Sequence, residues 1–497
     1  MISAHFSGLF VHDLVAFIPD LFLLVAILIL LVVGSSISLK SVHEKTIWAS
    51  TILWLSFWTL ILTLVLMKET PFSHAILFNH ALLLDPLSFV LKVSILGTCL
   101  LLLSLSVNKP ESHSFEFPLL FLLSAWGMGL MAESYDLISM YLSIELQSFC
   151  FFLLAASRRN SEFSTEAGLK YFLLGAFSSG LFLFGSSFIY GFTGQTSLEE
   201  LAKATESLFA LESVYNNESN GLIIGILFLS AGFLFKSGAA PFHMWTPDVY
   251  EGSPTTVTAL FSILPKIALF GMFLRFFFQG LSSLFIQWQT LFFFSSLLSM
   301  IVGITAISQT KLKRLFAYSS IGHVGYFLIG FAVANPQGVQ SLLFALGIYI
   351  VMTLHIFTFL LAGAPENRKY CADLTSFAKI NPVVALSLAL ILFSMAGMPP
   401  LAGFLSKFYL FRIALASQFT SLAILGVITS VITSYYYIRL VRIMYFGKPL
   451  EYNTMFSPIP KQHSLILGIT LFFVLFLFLY QSPFLTLTYQ ISFALSS

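Results

Sequence analysis

Four ionisable side chains lie inside long apolar stretches of this 497-residue sequence: Glu145, Lys236, Lys266 and Lys407. A charge at the centre of a membrane helix costs roughly 2.5–3.5 kcal/mol on insertion scales, so charged residues there are usually functional. A buried Glu and a buried Lys keep their charges only when they are paired, and such a pair can hold or release a proton when its distance changes. A desolvated lysine also releases its proton more readily. These residue types therefore predict a proton relay.

A second group of polar residues supports this prediction less directly. His243 and His323 are suited to proton transfer near neutral pH, although a hydrogen-bonded core histidine is the ordinary alternative for both. Lys170, Lys92 and Arg412 also lie within apolar stretches. For these three residues, a side chain that reaches the membrane interface or forms a static ion pair is an equal alternative.

The composition predicts an integral membrane protein. Hydrophobic residues make up 58% of the chain and charged residues 9%, whereas a typical soluble domain is about 45–50% apolar and roughly 25% charged. This excludes a soluble enzyme and a disordered chain, and a net charge of +2 leaves no basic surface for nucleic acid. Cys99, Cys150 and Cys371 lie far apart, so we expect no disulfide, zinc or iron–sulfur site.

The apolar stretches predict an all-α polytopic membrane protein that forms one membrane domain over residues 1–497. A transmembrane helix needs about 20 apolar residues, and none of the stretches alternates as a membrane barrel strand does. The fourteen predicted spans are 17–34, 46–67, 86–106, 115–132, 135–156, 168–191, 221–240, 253–278, 287–308, 315–334, 338–363, 382–411, 418–446 and 463–483.

The seventh and twelfth predicted spans are interrupted. The seventh runs into Lys-Ser-Gly-Ala-Ala-Pro-Phe-His at residues 236–243, and the twelfth contains Gly-Met-Pro-Pro-Leu-Ala-Gly at residues 397–403, followed by Lys407. Broken helices are tolerated in membranes where they line a cavity, and they are typical of transport sites. A plain proline kink is the alternative, but the adjacent lysine in each case favours a transport site.

The two interruptions are five spans apart, so helix 12 crosses the membrane in the direction opposite to helix 7. This predicts two inverted five-helix repeats, helices 4–8 over residues 115–278 and helices 9–13 over residues 287–446. The three N-terminal helices occupy residues 1–110, and helix 14 occupies residues 463–483.

Basic residues are distributed unevenly over the predicted loops. The loops after even-numbered spans carry little beyond Lys68 and Lys203, and the loop between spans 6 and 7 is acidic. Because basic residues stay on the inner side of a membrane, both termini are expected to face the outside. The basic residues at or near the opposite loops are Lys40, Lys45, Lys109, Arg158, Arg159, Lys311, Lys313, Arg314, Arg368, Lys369, Lys379, Arg439, Arg442, Lys448 and Lys461.

Three segments resemble signatures of a known family. Residues 233–254, with Lys-Ser-Gly-Ala-Ala-Pro-Phe-His, are similar to the helix 7–8 signature of the antiporter-like subunits of respiratory complex I. Residues 313–326, with Tyr-Ser-Ser-Ile-Gly-His, and residues 396–409, with Gly-Met-Pro-Pro, resemble its helix 10 and helix 12 signatures. Residues 138–148 and 161–179 resemble plant and green-algal mitochondrial members. The resemblance covers essentially the whole chain.

The resemblance implies a role for each embedded residue. Glu145 and Lys236 match the family's ion pair, and Lys266 matches its central relay lysine. Lys407 matches the terminal proton donor, a position at which subunit 4 of the complex carries Glu. Three further residues match recurring positions that would support the relay: His323, His243 and Lys170.

The resemblance also implies the activity, cofactors, partners and location. The chain would be a proton-translocating subunit of NADH:ubiquinone oxidoreductase, without a cofactor of its own, because FMN, the iron–sulfur clusters and ubiquinone are held by other subunits. Its partners would be lipids, subunit 4, subunit 4L and the lateral helix of subunit 5, in the mitochondrial inner membrane with both termini on the intermembrane-space side. A subunit of a multi-subunit cation/proton antiporter and a non-pumping membrane scaffold remain alternatives.

Overall fold

The computed structural model describes residues 12–37, 42–69, 74–107, 114–210, 218–363, 369–375, 377–447 and 459–496. Four basic loop residues used to predict orientation, Lys40, Lys109, Arg368 and Lys448, lie outside these residues. The helices are α1 (Ile18–Ile37), α2 (Val42–Glu69), α3 (Pro86–Ser106), α4 (Glu116–Glu133), α5 (Leu137–Ala155), α6 (Glu162–Thr193), α7 (Leu198–Ala210), α8 (Glu218–Ser237), α9 (Trp245–Gly252), α10 (Thr255–Arg275), α11 (Phe285–Gly303), α12 (Leu312–Val333), α13 (Pro336–Gly363), α14 (Phe377–Ile380), α15 (Pro382–Ala396), α16 (Ala402–Ala416), α17 (Thr420–Phe446), α18 (Lys461–Leu479) and α19 (Ser482–Ser496).

The long helices confirm the predicted all-α membrane fold. Within the described residues, eleven helices are long and apolar enough to cross a membrane, and two shorter apolar helices occupy Gly221–Ser237 and Pro382–Ala396. A helix satisfies the backbone amide and carbonyl groups in its interior, which lipid cannot do. The predicted total of fourteen spans stays a prediction.

The chain forms two compact units. The first comprises Met1–Phe233 and Leu264–Leu284, and the second comprises Leu234–Ile263 and Phe285–Ser497. The divisions between them fall inside α8 and α10, so each unit contains part of these two helices. The predicted inverted repeat is a different division of the chain and stays a prediction.

Several described elements lie outside the predicted spans, among them the short helices α9 and α14. Strands β1 (Ala75–Leu77) and β2 (Leu82–Leu84) form an antiparallel hairpin. The amphipathic helix α7 follows α6, and α19 follows α18. In α7, the Lys203 ammonium donates a hydrogen bond to Glu199 Oε1 at 2.7 Å, and this bond lowers the pKa of the Glu199 carboxyl.

Side-chain caps determine where several helices begin. The Asp85 carboxylate accepts a hydrogen bond from the Ser88 amide at 2.8 Å, while the Ser88 hydroxyl accepts one from the Asp85 amide at 2.9 Å. This reciprocal pair satisfies amides that have no partner in the first turn of α3. Helix α6 begins at Glu162, earlier than the predicted 168, because Ser161 caps it.

Candidate proton-transfer site

The twelfth predicted span is broken as expected, between α15 and α16. Gly397 follows the last residue of α15 with a φ of 89°, a left-handed conformation that glycine adopts without steric cost. The Gly397 and Met398 amides both donate to the carbonyl oxygen of Phe393, at 3.1 Å each. This pattern ends the helix abruptly.

The buried side chain of Lys407 reaches back from α16 to this helix end. Its Nζ atom donates to the carbonyl oxygens of Met395 and Ala396, at 3.0 Å each. Nζ also lies 5.3 Å from the centroid of the Tyr326 ring. The last carbonyls of a helix lack helical donors and carry partial negative charge. The chain therefore holds a cation at the break without a carboxylate among these contacts.

The seventh predicted span ends in the same manner. Gly238 follows α8 with a φ of 72°, and the Ala239 amide donates to the carbonyl oxygen of Leu234 at 2.9 Å. Lys236 lies in the last turn of α8. Each break therefore has a lysine close to it in the chain, although Lys236 precedes its glycine and Lys407 follows Gly397 on the next helix.

His323 lies buried among aromatic side chains of the second unit. Its Nε2 atom is 3.4 Å from the Tyr437 hydroxyl oxygen, and its ring centroid is 5.4 Å from that of Tyr349. The Tyr349 hydroxyl donates to the carbonyl oxygen of Ser262 at 3.2 Å. His323 therefore joins polar groups from α10, α13 and α17.

A small cavity lies among these polar groups. Its volume is about 10 Å³, which is near the lower limit for a water molecule. The carbonyl of one lining residue, Met395, accepts the bond from Lys407. The polar residues that line the cavity are Ser262, Ser319, Ser320, Tyr349 and Thr353.

Lys266 is 3% exposed and directly follows Pro265 within α10. Proline has no amide hydrogen, so the carbonyl oxygen of Phe261 lacks its helical donor. The Tyr250 hydroxyl donates to this oxygen at 3.0 Å. Sequence reasoning missed Tyr250, although a proline inside a predicted span signals that a neighbouring donor is needed.

Lys170 lies on the outer face of α6. Its side chain is 43% exposed and forms an ion pair with Glu166, one helical turn earlier, at 2.7 Å. Neighbouring apolar side chains on this helix are also exposed, among them Leu169 and Leu173. Of the alternatives left open for Lys170, the structure therefore shows a surface ion pair.

Two further candidates, Glu145 and His243, are half-buried. Glu145 is half-buried on α5, and its Oε2 atom accepts a hydrogen bond from the Ser148 hydroxyl at 3.3 Å. His243 is half-buried between α8 and α9, and its carbonyl accepts a hydrogen bond from the Thr246 hydroxyl. Glu145 and Lys236 belong to different units, and their predicted ion pair stays a prediction.

A buried network of charges in the first unit was missed, apart from Lys92. The Lys92 ammonium contacts Asp20 and Glu133, and Arg275 contacts Asp85 at 2.6 Å. A signal for this network exists in the sequence. Asp20 begins span 1, Asp85 precedes span 3, Glu133 follows span 4 and Arg275 is near the end of span 8. Alternating spans place all four at the same side of the membrane.

The described residues contain no group of three or more His, Cys, Asp or Glu that could hold a metal ion. The three cysteines are buried and form no disulfide with one another. The polar groups at the breaks are ammonium, imidazole, phenol and hydroxyl groups, which carry protons and form hydrogen bonds.

Long apolar helices, two of them broken beside a lysine, define this chain as a multi-pass membrane protein of the transporter type. A family model described as "NADH:quinone oxidoreductase/Mrp antiporter, TM" matches residues 134–433. The chain is 47% identical to "NADH-ubiquinone oxidoreductase chain 2" of Marchantia polymorpha over 98% of its length and 100% of that protein. It is 44% identical to the protein of the same name from Arabidopsis thaliana, over 99% and 98%.

A solved structure, respiratory complex I from Thermus thermophilus with bound aureothin, contains a similar chain. The TM-score is 0.78 and the identity 29%, over 94% of this chain and 98% of that one. The chain belongs to the complex I and Mrp antiporter membrane family, and within it to the chain 2 subunits of NADH:ubiquinone oxidoreductase.

Proposed function

We propose that this chain translocates protons in the membrane arm of mitochondrial respiratory complex I, through a relay formed by its own buried residues. The observation that carries the proposal is the buried Lys407 ammonium on the carbonyl end of a broken helix. Because no carboxylate is among these contacts, the ammonium is held mainly by dipoles and an aromatic ring. Such contacts can bind the charged form and still allow the proton to leave.

The proposed relay follows the four embedded residues. Electron transfer in other subunits, which hold FMN, iron–sulfur clusters and ubiquinone, changes the electrostatics at one end of the chain. The Glu145–Lys236 pair then opens or closes, and protons pass by bound water from Lys236 to Lys266 and on to Lys407. Moving one charge against 100 mV costs about 2.3 kcal/mol, which coupling must supply for each proton.

Two histidines fit supporting positions in this relay. His323 contacts Tyr437 and Tyr349 beside the cavity that also reaches Met395. A water molecule there would extend the hydrogen-bonded path to the helix end that binds Lys407. His243 lies in the other break and would serve the same purpose.

The proposed location is the mitochondrial inner membrane, with both termini on the intermembrane-space side. The proposed partners are subunit 4, subunit 4L, the lateral helix of subunit 5 and lipids. The outer face of α6 supports contact with another subunit, because the Lys170–Glu166 ion pair lies beside exposed apolar residues. An ion pair is more stable against a polar protein surface than against lipid tails.

The first test identifies the assembly that contains the chain. Membranes are solubilised in mild detergent, separated on a native gel, stained for NADH oxidation and probed for this chain. We expect it to migrate with a very large NADH-oxidising complex. A small assembly without NADH oxidation contradicts the proposal and favours a multi-subunit cation/proton antiporter, the second activity in the family description.

The second test addresses the relay. We expect Lys236→Ala to lower proton pumping per NADH oxidised while the complex still assembles, because the variant removes the ion-pair cation. Lys203→Ala, at an exposed residue of the amphipathic helix α7, is the matched control. Wild-type pumping in Lys236→Ala contradicts the relay and favours a non-pumping scaffold.

A further inference from the structure

In the first unit, side chains from three helices form a cluster in which a lysine ammonium lies between two carboxylates. Lys92 Nζ, from α3, donates to Asp20 Oδ2, from α1, at 2.6 Å and to Glu133 Oε1, from α4. All three side chains are at least nine-tenths buried. None of them belongs to the proposed relay.

The charges of this cluster do not balance. Next to it, Arg275 pairs with Asp85 and also donates to the carbonyl oxygens of Ala132 and Ser134. The five buried groups of the two ion-pair sets are three carboxylates and two cations, which leaves an excess of one negative charge when all are ionised. Lys68 is a further basic residue facing the same cavity, but it is exposed at the end of α2. A buried excess charge is unfavourable unless a cation neutralises it.

A cavity of about 370 Å³ lies beside this excess charge. It lies where α1 begins, α2 ends and α3 begins, and both Asp85 and Glu133 line it. A second cavity, of about 20 Å³, shares Asp20 and Lys92 with the first and also contacts Trp126. Both volumes are large enough for water. The cluster thus lies between a large cavity and a smaller one.

One atom of the cluster is available for a new bond. Glu133 is 1% exposed, and its Oε2 atom has no hydrogen-bond partner among the described residues. The other oxygen, Oε1, contacts Lys92. Because Glu133 lines the large cavity, an exchangeable proton can reach it from cavity water.

We propose that the Asp20–Lys92–Glu133 cluster is a proton-binding site, separate from the relay and filled from the cavity. A hydronium ion in the cavity gives its proton to Glu133 Oε2, an O–H bond forms, and a water molecule remains. The bound proton neutralises the excess charge. A metal cation fits less well, because the Lys92 ammonium already occupies the position between the two carboxylates.

The test is infrared difference spectroscopy of the intact complex in membranes, titrated with pH in the carbonyl-stretching region of protonated carboxyl groups. We expect a titrating band in the wild type that is lost in Glu133→Gln. Glu200→Gln, the same substitution at an exposed residue of α7, should keep the band. An unchanged band in Glu133→Gln overturns the proposal.

Two further variants separate proton binding from a structural role. Asp20→Asn removes one carboxylate and with it the excess negative charge, so the band should again be lost. Lys92→Met leaves two carboxylates without their cation, so the band should persist to higher pH than in the wild type. A structural cluster would lower assembly in these variants without moving the band. These outcomes do not depend on the relay, which Lys236→Ala tests by pumping.

A wild-type titration in choline salts completes the test. A proton site gives the same band in sodium and choline. A band that changes with sodium concentration instead identifies a metal cation as the ligand and overturns the proposal.

Discussion

The surroundings of Lys407 are compatible with the proposed role of this residue as a proton donor. Its ammonium contacts two carbonyl oxygens, of Met395 and Ala396, and the face of the Tyr326 ring. A carboxylate would bind the charged form more strongly than these partners do. The terminal donor of the proposed relay therefore depends on the geometry of a helix end and one aromatic ring.

Substitution of Tyr326 tests the contribution of the ring. A cation–π contact is worth about 0.5–2 kcal/mol, so Tyr326→Leu should weaken the hold on the ammonium and lower pumping by roughly twofold to thirtyfold. Tyr326→Phe keeps the ring face and loses only the hydroxyl, which lies 3.4 Å from Thr429 Oγ1. It should pump close to the wild-type level. Equal losses in both variants would assign the effect to the hydroxyl instead.

The buried Arg275–Asp85 pair predicts a large effect on assembly. Arg275→Met leaves the Asp85 carboxylate buried without its cation, which costs about 3–5 kcal/mol. We expect little assembled complex on a native gel. Adding Asp85→Asn removes the unpaired buried carboxylate and keeps a good helix cap. The double variant should therefore recover much of the assembled complex. Wild-type amounts of complex in Arg275→Met would contradict the structural role of this pair.

At the level of elements, the two helix breaks depend on glycines in left-handed conformations. At Gly397, a side-chain methyl group would lie 3.1 Å from Lys407 Cδ, and at Gly238 it would lie 2.6 Å from Thr246 Cγ2. A left-handed conformation costs a non-glycine residue roughly 1–2 kcal/mol even without a collision. Each break therefore requires glycine, because both the backbone conformation and the neighbouring side chain disfavour a larger residue.

Gly397→Ala should lower both stability and pumping, because it strains the end of α15 and displaces the Lys407 side chain. The measurements are the temperature at which half of the NADH-oxidising activity is lost, and the pumping ratio. Gly180→Ala is the matched control, since no atom lies within 4 Å of the added group. If both variants have the same heat-inactivation midpoint and the same pumping ratio, the left-handed conformation of Gly397 does not contribute to stability or pumping.

The proline inside α10 gives a second prediction at the level of elements. Tyr250→Phe leaves the carbonyl oxygen of Phe261 without its donor, at a cost of about 1–3 kcal/mol. Pro265→Ala restores an amide donor for the same oxygen, so Tyr250→Phe should cost less in that background. The heat-inactivation midpoint measures both, with the exposed Tyr190→Phe as a control. Equal costs in both backgrounds would refute this coupling.

At the level of the whole molecule, the proposed relay needs residues from both units. Glu145 lies in the first unit and Lys236 in the second. If they act as a pair, Glu145→Gln and Lys236→Met should each lower pumping, and the double variant should be no worse than the more severe single variant. Pumping per NADH oxidised measures this, with Lys203→Met as the control. Losses that multiply would show that the two residues act independently.

The sequence alone determined the class of protein, the long helices and both breaks. These features depend on composition and on residues close together in the chain: apolar runs define the helices, and Gly-Ala-Ala-Pro and Gly-Met-Pro-Pro interrupt them. The burial of Lys266 and Lys407 was also predictable, because both lie far from the ends of their apolar stretches.

Only the tertiary structure decided what surrounds these residues. The same alternatives were open for Lys170 and Lys92 in the sequence, yet Lys170 lies on an outer face with Glu166 and Lys92 is buried between Asp20 and Glu133. Hydropathy does not determine how each helix is rotated about its axis, because that depends on packing against helices distant in the chain. For the same reason, the partners of Lys407 and the donor for the Phe261 carbonyl became visible only in the folded chain.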